Sequence, residues 1–115
     1  MIISKRFRFE AAHRLPRYRG PCFELHGHSY ELHVTLEMPV DPETGMTLDF
    51  FVLEAAVRTK VLDRLDHRNI NDTLENPTAE NIAVWIWDQL KPEFSQLTEI
   101  RLYETPDSSV IYRGR

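Results

Sequence analysis

The chain is poor in cysteine: its 115 residues contain one, Cys22. No disulfide can form within it, which suits a reducing compartment. It has no excess of positive charge. Lys and Arg number 14 against 18 Asp and Glu, a formal charge of −4. No overall basic field draws it to nucleic acid or to an anionic membrane, so an anionic substrate must be caught by local Arg or Lys residues. It has no apolar run long enough to cross a bilayer, and the opening MIISKRFRF is too short in apolar length for a signal peptide. No internal repeat or low-complexity segment appears. These absences point to a cytoplasmic globular protein. Its length suits one domain, 1–115. A domain of this size leaves much apolar surface near water, which favours oligomerisation.

What the chain does have is periodicity. In residues 2–13, Ile3, Phe7, Phe9, Ala11 and His13 fall on one phase and Ser4, Arg6, Arg8 and Glu10 on the other; Lys5 interrupts the apolar phase. This predicts a strand with one half-buried face. Pro16, Gly20 and Pro21 make 14–22 a loop. From about His26 to Met38, His26, His28, Tyr30, Leu32, Val34 and Leu36 alternate with Ser29, Glu31, His33, Thr35 and Glu37, which predicts a second strand. VDPETG is a turn, and MTLDF reads as a short strand or extended piece. Asp49 can cap a helix over about 50–65, with Phe50, Leu53, Val57, Val61 and Leu65 as its apolar stripe. DHRNIND reads as a polar loop. NPTAEN opens a second helix, capped by Asn76 or Thr78, with Ile82, Trp85, Ile86 and Leu90 facing inward until Pro92. Residues 99–104 alternate again, and SVIYR closes the chain as a strand. Strands at both ends around a helix pair predict α+β, with antiparallel strands covered on one face by two helices.

Alternate side chains of a strand point the same way, so His26 and His28 project from one face. His13 lies on the apolar phase of its own strand. Pairing of strands one and two through 14–25 would bring it to the other two. Three imidazoles with a position left open is the pattern of a catalytic zinc site, though a His-only set also suits nickel or iron. The plainer alternative is three unrelated histidines. His33 is on the polar phase and points away.

Cys22 stands four residues before His26. It could be a fourth ligand, a thiolate acting as base or nucleophile beside the metal, or a buried thiol. Asp66-His67 follows a helix. It could move protons as a carboxylate-oriented imidazole, or simply be a histidine favoured by the helix C-terminus. Glu104 shares the phase of Ile100 and Leu102. A carboxylate facing an apolar side needs a partner, either the paired N–H edge of a heterocycle or an Arg.

FEAAHRLP, CFELHGHSY, GMTLDF, LDHRNIND, NPTAENIAVWIWDQLKP and YETPDSSVIYRG, which together cover nearly the whole chain in order, resemble the 6-pyruvoyltetrahydropterin synthase family and, within it, the bacterial 6-carboxy-5,6,7,8-tetrahydropterin synthases. The resemblance implies a tunnelling fold (T-fold). This is a four-stranded antiparallel sheet with two helices packed on one face, joined edge to edge into trimers that close a β-barrel and stack as hexamers. Active sites lie at subunit boundaries, so a neighbour can supply Asp66 and His67. It implies one Zn2+ per subunit on His13, His26 and His28, Cys22 as catalytic base, Asp66 and His67 as a proton relay, Glu104 as anchor of the pterin ring, and Thr78 near the pterin edge. The implied substrate is 7,8-dihydroneopterin triphosphate. One branch eliminates triphosphate; the other also cleaves the side chain, releasing 6-carboxytetrahydropterin, acetaldehyde and triphosphate on the way to queuosine-type bases. The three residues between Cys22 and His26 and the IYRG ending resemble the second branch, while PDSSV departs from it and is placed to touch the substrate side chain. A non-catalytic module binding zinc and a purine-like ring is the alternative of another class. Arg14, Arg17, Arg19 and Arg113 are candidates for the triphosphate.

Overall fold

The structure, a computed structural model, describes residues 1–115 apart from the side chain of Cys22. Two long antiparallel strands, β1 (Ile2–His13) and β2 (His26–Glu37), form its spine. They pair in unbroken register from Ile2 opposite Glu37 to His13 opposite His26. The register follows from the alternation: a slip of one residue would turn Phe7, Phe9, Leu32 and Val34 out to solvent. β4 (Leu97–Thr105) adds to β2, and β5 (Ser108–Tyr112) adds to β4, both antiparallel.

The sheet has five strands, not four, in the order β3-β1-β2-β4-β5. The extra one, β3 (Arg68–Asn69), lies in the segment read as a polar loop and runs parallel to β1 at Ala11 and Ala12. Glu10 holds the chain there: its N–H donates to Asp66 Oδ1 and its carbonyl accepts from His67 N–H. MTLDF is not a strand; it runs through bends into the helix. Gly45 (φ 72°) closes the preceding turn in the left-handed region, its N–H donating to Asp41 O.

Helix α1 (Phe50–Val57) starts at Asp49, whose carboxylate accepts from Phe51 N–H at 2.9 Å. It continues through a π-helical turn (Arg58–Leu62) into α2 (Asp63–Leu65). Leu53, Val57, Val61 and Leu65 are all fully buried. At 3.6 residues per turn, four-residue spacing overshoots the helix face by about 40° at each step. The wider π turn absorbs that drift and keeps all four on the core side. Phe50, expected in this stripe, is half exposed. Helix α3 (Ala79–Leu90) begins at Thr78, whose Oγ1 accepts from Asn81 N–H. Of the two cap candidates, the structure uses Thr78. α3 buries Ile82, Ala83, Ile86, Trp87 and Leu90; Trp85, expected inward, is partly buried and packs against this core, and Trp87 is buried more deeply.

The core lies between these helices and one sheet face, built on Phe9, Tyr30, Leu32, Val34, Leu36, Ile100 and Leu102. Each such fully buried Leu or Ile stabilises the fold by roughly 1.5–3 kcal/mol. The other face is charged: Glu31 lies within ion-pair distance of Arg6, Arg8 and His33. Among the described residues, no helix is long and apolar enough to cross a membrane.

Candidate active site

At one end of the β1–β2 ladder the register sets His13 directly opposite His26 and Ala11 opposite His28. One ring atom from each of His13, His26 and His28 lies within 4.8 Å of the others. His13 is fully buried; the other two are half-buried. The three-histidine convergence drawn from strand phase is therefore present. His33 sits on the charged face, 2.8 Å from Glu31 Oε2.

The hydrogen bonds around the rings fix their chemistry. His13 Nδ1 is 2.7 Å from Pro77 O, with Tyr30 Oη also at 3.3 Å. His26 Nδ1 is 2.7 Å from Glu24 O. A carbonyl only accepts, so both Nδ1 atoms carry the proton and donate. In the neutral rings both Nε2 atoms then present lone pairs, yet they stand 3.1 Å apart. Two acceptors at that distance repel unless a cation lies between them. His28 Nε2 is buried without a hydrogen-bond partner, a costly state for a polar atom. One divalent ion would satisfy all three nitrogens, and backbone carbonyls on the far ring nitrogen are how metal-ligating histidines are commonly oriented. Burial lowers the pKa of His13, against the opposing pull of the Pro77 bond and the Glu104 charge. Burial likewise lowers that of His28, again against Glu104. Both rings are thereby kept in the neutral form that binds metal.

Glu104 faces this cluster. Its carboxylate oxygens are 3.8 Å from His13 Nε2 and 3.9 Å from His28 Nε2. Among the described residues no Arg pairs with it, so the salt-bridge alternative is not what the fold provides. Glu104 and Thr78 line one cleft of about 250 Å³ with Leu15, Ser108, Ser109 and Val110. The PDSSV segment thus forms part of the cleft wall. Leu15 and the Pro77 carbonyl went unseen in the sequence, since a backbone oxygen has no residue signature.

Asp66 and His67 form a pair, His67 Nδ1 lying 3.0 Å from Asp66 Oδ1. His67 has φ 58°, uncommon for a residue with a side chain, and its ring is largely exposed. It does not join the cluster. With Glu10, Ala12, Gly27, His28 and Ser29 it lines a second cleft of about 500 Å³. The reading of Cys22 as ligand, base or thiol concerns a side chain outside the described residues; its backbone lies in a short 3-10 turn (Pro21–Phe23) ahead of β2. Of the four candidate phosphate-binding arginines, Arg17 is 2.9 Å from Glu75 and Arg113 is 3.0 Å from Glu99.

The 6-pyruvoyl tetrahydropterin synthase family model matches residues 2–115. A 6-carboxy-5,6,7,8-tetrahydropterin synthase of Synechocystis is 42% identical, over 96% of this chain and 92% of its own length. A 6-pyruvoyl tetrahydrobiopterin synthase of Drosophila melanogaster is 37% identical, over 98% of this chain and 79% of its own. Among solved structures, the 6-pyruvoyl tetrahydropterin synthase of Caenorhabditis elegans superposes with a TM-score of 0.91 at 31% identity, covering 100% of this chain and 96% of that one.

Proposed function

Because the chain belongs to the 6-pyruvoyl tetrahydropterin synthase family, we propose that it is a zinc-dependent carbon–carbon lyase. It would convert 7,8-dihydroneopterin triphosphate to 6-carboxy-5,6,7,8-tetrahydropterin, acetaldehyde and triphosphate, supplying a 7-deazapurine (queuosine-precursor) pathway in the cytoplasm. The fold is the family's T-fold. The observation that carries the reading is the convergence of three imidazoles, faced by the Glu104 carboxylate at the edge of a cleft.

His13, His26 and His28 would hold the metal, a donor set that fits Zn2+. Bound there, the ion supplies Lewis-acid polarisation of the substrate's side-chain hydroxyls. Glu104 accepts from the paired N–H groups of the pterin edge, which the half-buried carboxylate can do without an Arg competitor. Thr78 and the two serines border the same cleft. Cys22 is assigned the removal of a carbon-bound proton; its place four residues ahead of His26 and the family match support this. His67 handles the second proton. Its Nδ1–H donates to Asp66, so its Nε2 is free to accept or deliver one. Its separation from the cluster supports a site shared between two copies in a trimer or hexamer.

Cleavage rather than simple elimination is supported by the Synechocystis relative and by alignment length. That alignment runs over 118 positions. The one to the Drosophila protein runs over 135; both exceed the 115 residues here, so both relatives carry insertions, and the Drosophila protein carries more of them. The second reading, 6-pyruvoyltetrahydropterin formation by triphosphate elimination alone, is favoured by the Drosophila and Caenorhabditis matches. Incubation with 7,8-dihydroneopterin triphosphate separates them. Acetaldehyde with 6-carboxytetrahydropterin is the expected result. Triphosphate release without acetaldehyde would establish the second reading, and no conversion would leave a binding module.

A further inference from the structure

We propose that Asn81 and Thr78 are positioning residues for the metal centre, acting through the single peptide that joins Pro77 to Thr78. The inference rests on the reading of His13 as a metal ligand and concerns what holds that ligand still. The Pro77–Thr78 peptide is pinned at both ends. Its carbonyl accepts from His13 Nδ1 at 2.7 Å. Its N–H donates back to Asn76 O at 2.9 Å. That bond, two residues apart, makes a γ-turn centred on Pro77, whose ring already sets the required φ.

The turn is braced from α3. Asn81 Nδ2 donates to the same Asn76 O at 2.8 Å, while Asn81 N–H donates to Thr78 Oγ1 at 3.1 Å. Asn81 donates both bonds: its backbone N–H takes the N-cap oxygen of Thr78, and its side chain reaches back past the cap to the carbonyl that already accepts from Thr78 N–H. Losing either lets the backbone at Pro77 and Thr78 rotate. The carbonyl then leaves the line of Nδ1, and with it goes the bond that sets the His13 tautomer. His13 is fully buried, out of reach of bulk solvent, and the other oxygen near its Nδ1, Tyr30 Oη, stands further off at 3.3 Å. Thr78 also borders the cleft with Glu104, so the same corner joins the cleft wall to the metal.

The test uses metal-free protein titrated with Zn2+ against a competing chelator, with the Co2+ absorption spectrum as a second readout. Loss of an outer-shell bond commonly weakens metal binding 10–100-fold. Thr78→Ala and Asn81→Ala lie one bond further out and are expected near the lower bound, roughly tenfold, with a broadened Co2+ spectrum. Thr78→Ser, which keeps the capping oxygen, restores wild-type affinity. Asp49→Ala removes the equivalent cap of α1; it lowers Tm comparably and leaves Zn2+ affinity unchanged. Affinities of Thr78→Ala and Asn81→Ala within twofold of wild type would overturn the proposal, as would an equal loss in Asp49→Ala. Wild-type protein that takes up no Zn2+ would instead defeat the metal-site reading itself.

Discussion

Replacing His26 with alanine should abolish metal-dependent stabilisation, whereas replacing His33 should not. Both histidines sit on β2, but on opposite phases. His26 Nε2 faces His13 Nε2 at 3.1 Å, and His33 pairs with Glu31 on the charged face. A ligand present at a thousand times its Kd stabilises the native state by about 4.1 kcal/mol. An unfolding entropy of about 2.1 cal/mol/K per residue amounts to about 240 cal/mol/K for this chain, so that stabilisation raises Tm by about 17 °C. In His26→Ala the same Zn2+ concentration lies near or below the new Kd, and the rise shrinks to about 2 °C. Without metal, the variant should unfold close to wild type, because the lost ring was half-buried and its lone pair opposed that of His13. His33→Ala should keep the full rise. Thermal unfolding by circular dichroism, with and without excess Zn2+, reads all three quantities. Equal rises in the two variants would refute the assignment of side chains by strand phase.

Cys22→Ala is expected to retain wild-type Zn2+ content and lose turnover by two or more orders of magnitude, as expected of a base; loss of zinc would make Cys22 a fourth ligand. Cys22→Ala and His67→Ala subunits, each inactive alone, should recover roughly a quarter of wild-type activity when refolded together, since random mixing reunites both residues at one site in four of a shared-site oligomer. No recovery would place the whole site within one chain. The metal-free protein should lose stability as pH falls below about 6.5, the unfolded histidine range. Below it the unfolded chain takes up protons that His13 and His28, with their lowered pKa values, refuse. Denaturant midpoints at pH 7.5 and 5.5 measure this, and a midpoint unchanged or higher at pH 5.5 would contradict it.

Much of this site could be read from the chain because it lies on strands with one buried face. Alternation assigns a side to every residue from Ile3 to His13 and from His26 to Leu36, and the register does the rest. Glu104 was legible for the same reason: its phase with Ile100 and Leu102 turned it inward toward His13 and His28. What alternation cannot report is the backbone. The carbonyls of Pro77 and Glu24, which set the tautomers of His13 and His26, belong to residues whose side chains give no hint of it. β3 is too short for a period, and its place is fixed by bonds from Glu10 across 56 residues. MTLDF has the apolar residues of a strand but no partner edge. Trp85 and Trp87 differ by 200° around α3; Trp85 packs partly buried against the core, and the pattern missed the more deeply buried Trp87, which the C-terminal strand claims edge-on through Tyr112.

The π turn in the long helix has a consequence for how this chain can change in length. A helix of plain α geometry would set its inward residues at steps of four and three; this one uses three steps of four. It therefore contains one residue more than the face requires. Deleting a single residue between Arg58 and Lys60 should let the helix close into regular turns while Leu53, Val57 and Leu65 keep their seats and the Asp66–His67 corner keeps its direction. Elsewhere in the same helix, one deletion would swing that corner by about 100°. The segment is an expansion joint: it is where a copy of this gene could lose a codon without turning the Asp66–His67 pair away from its present direction.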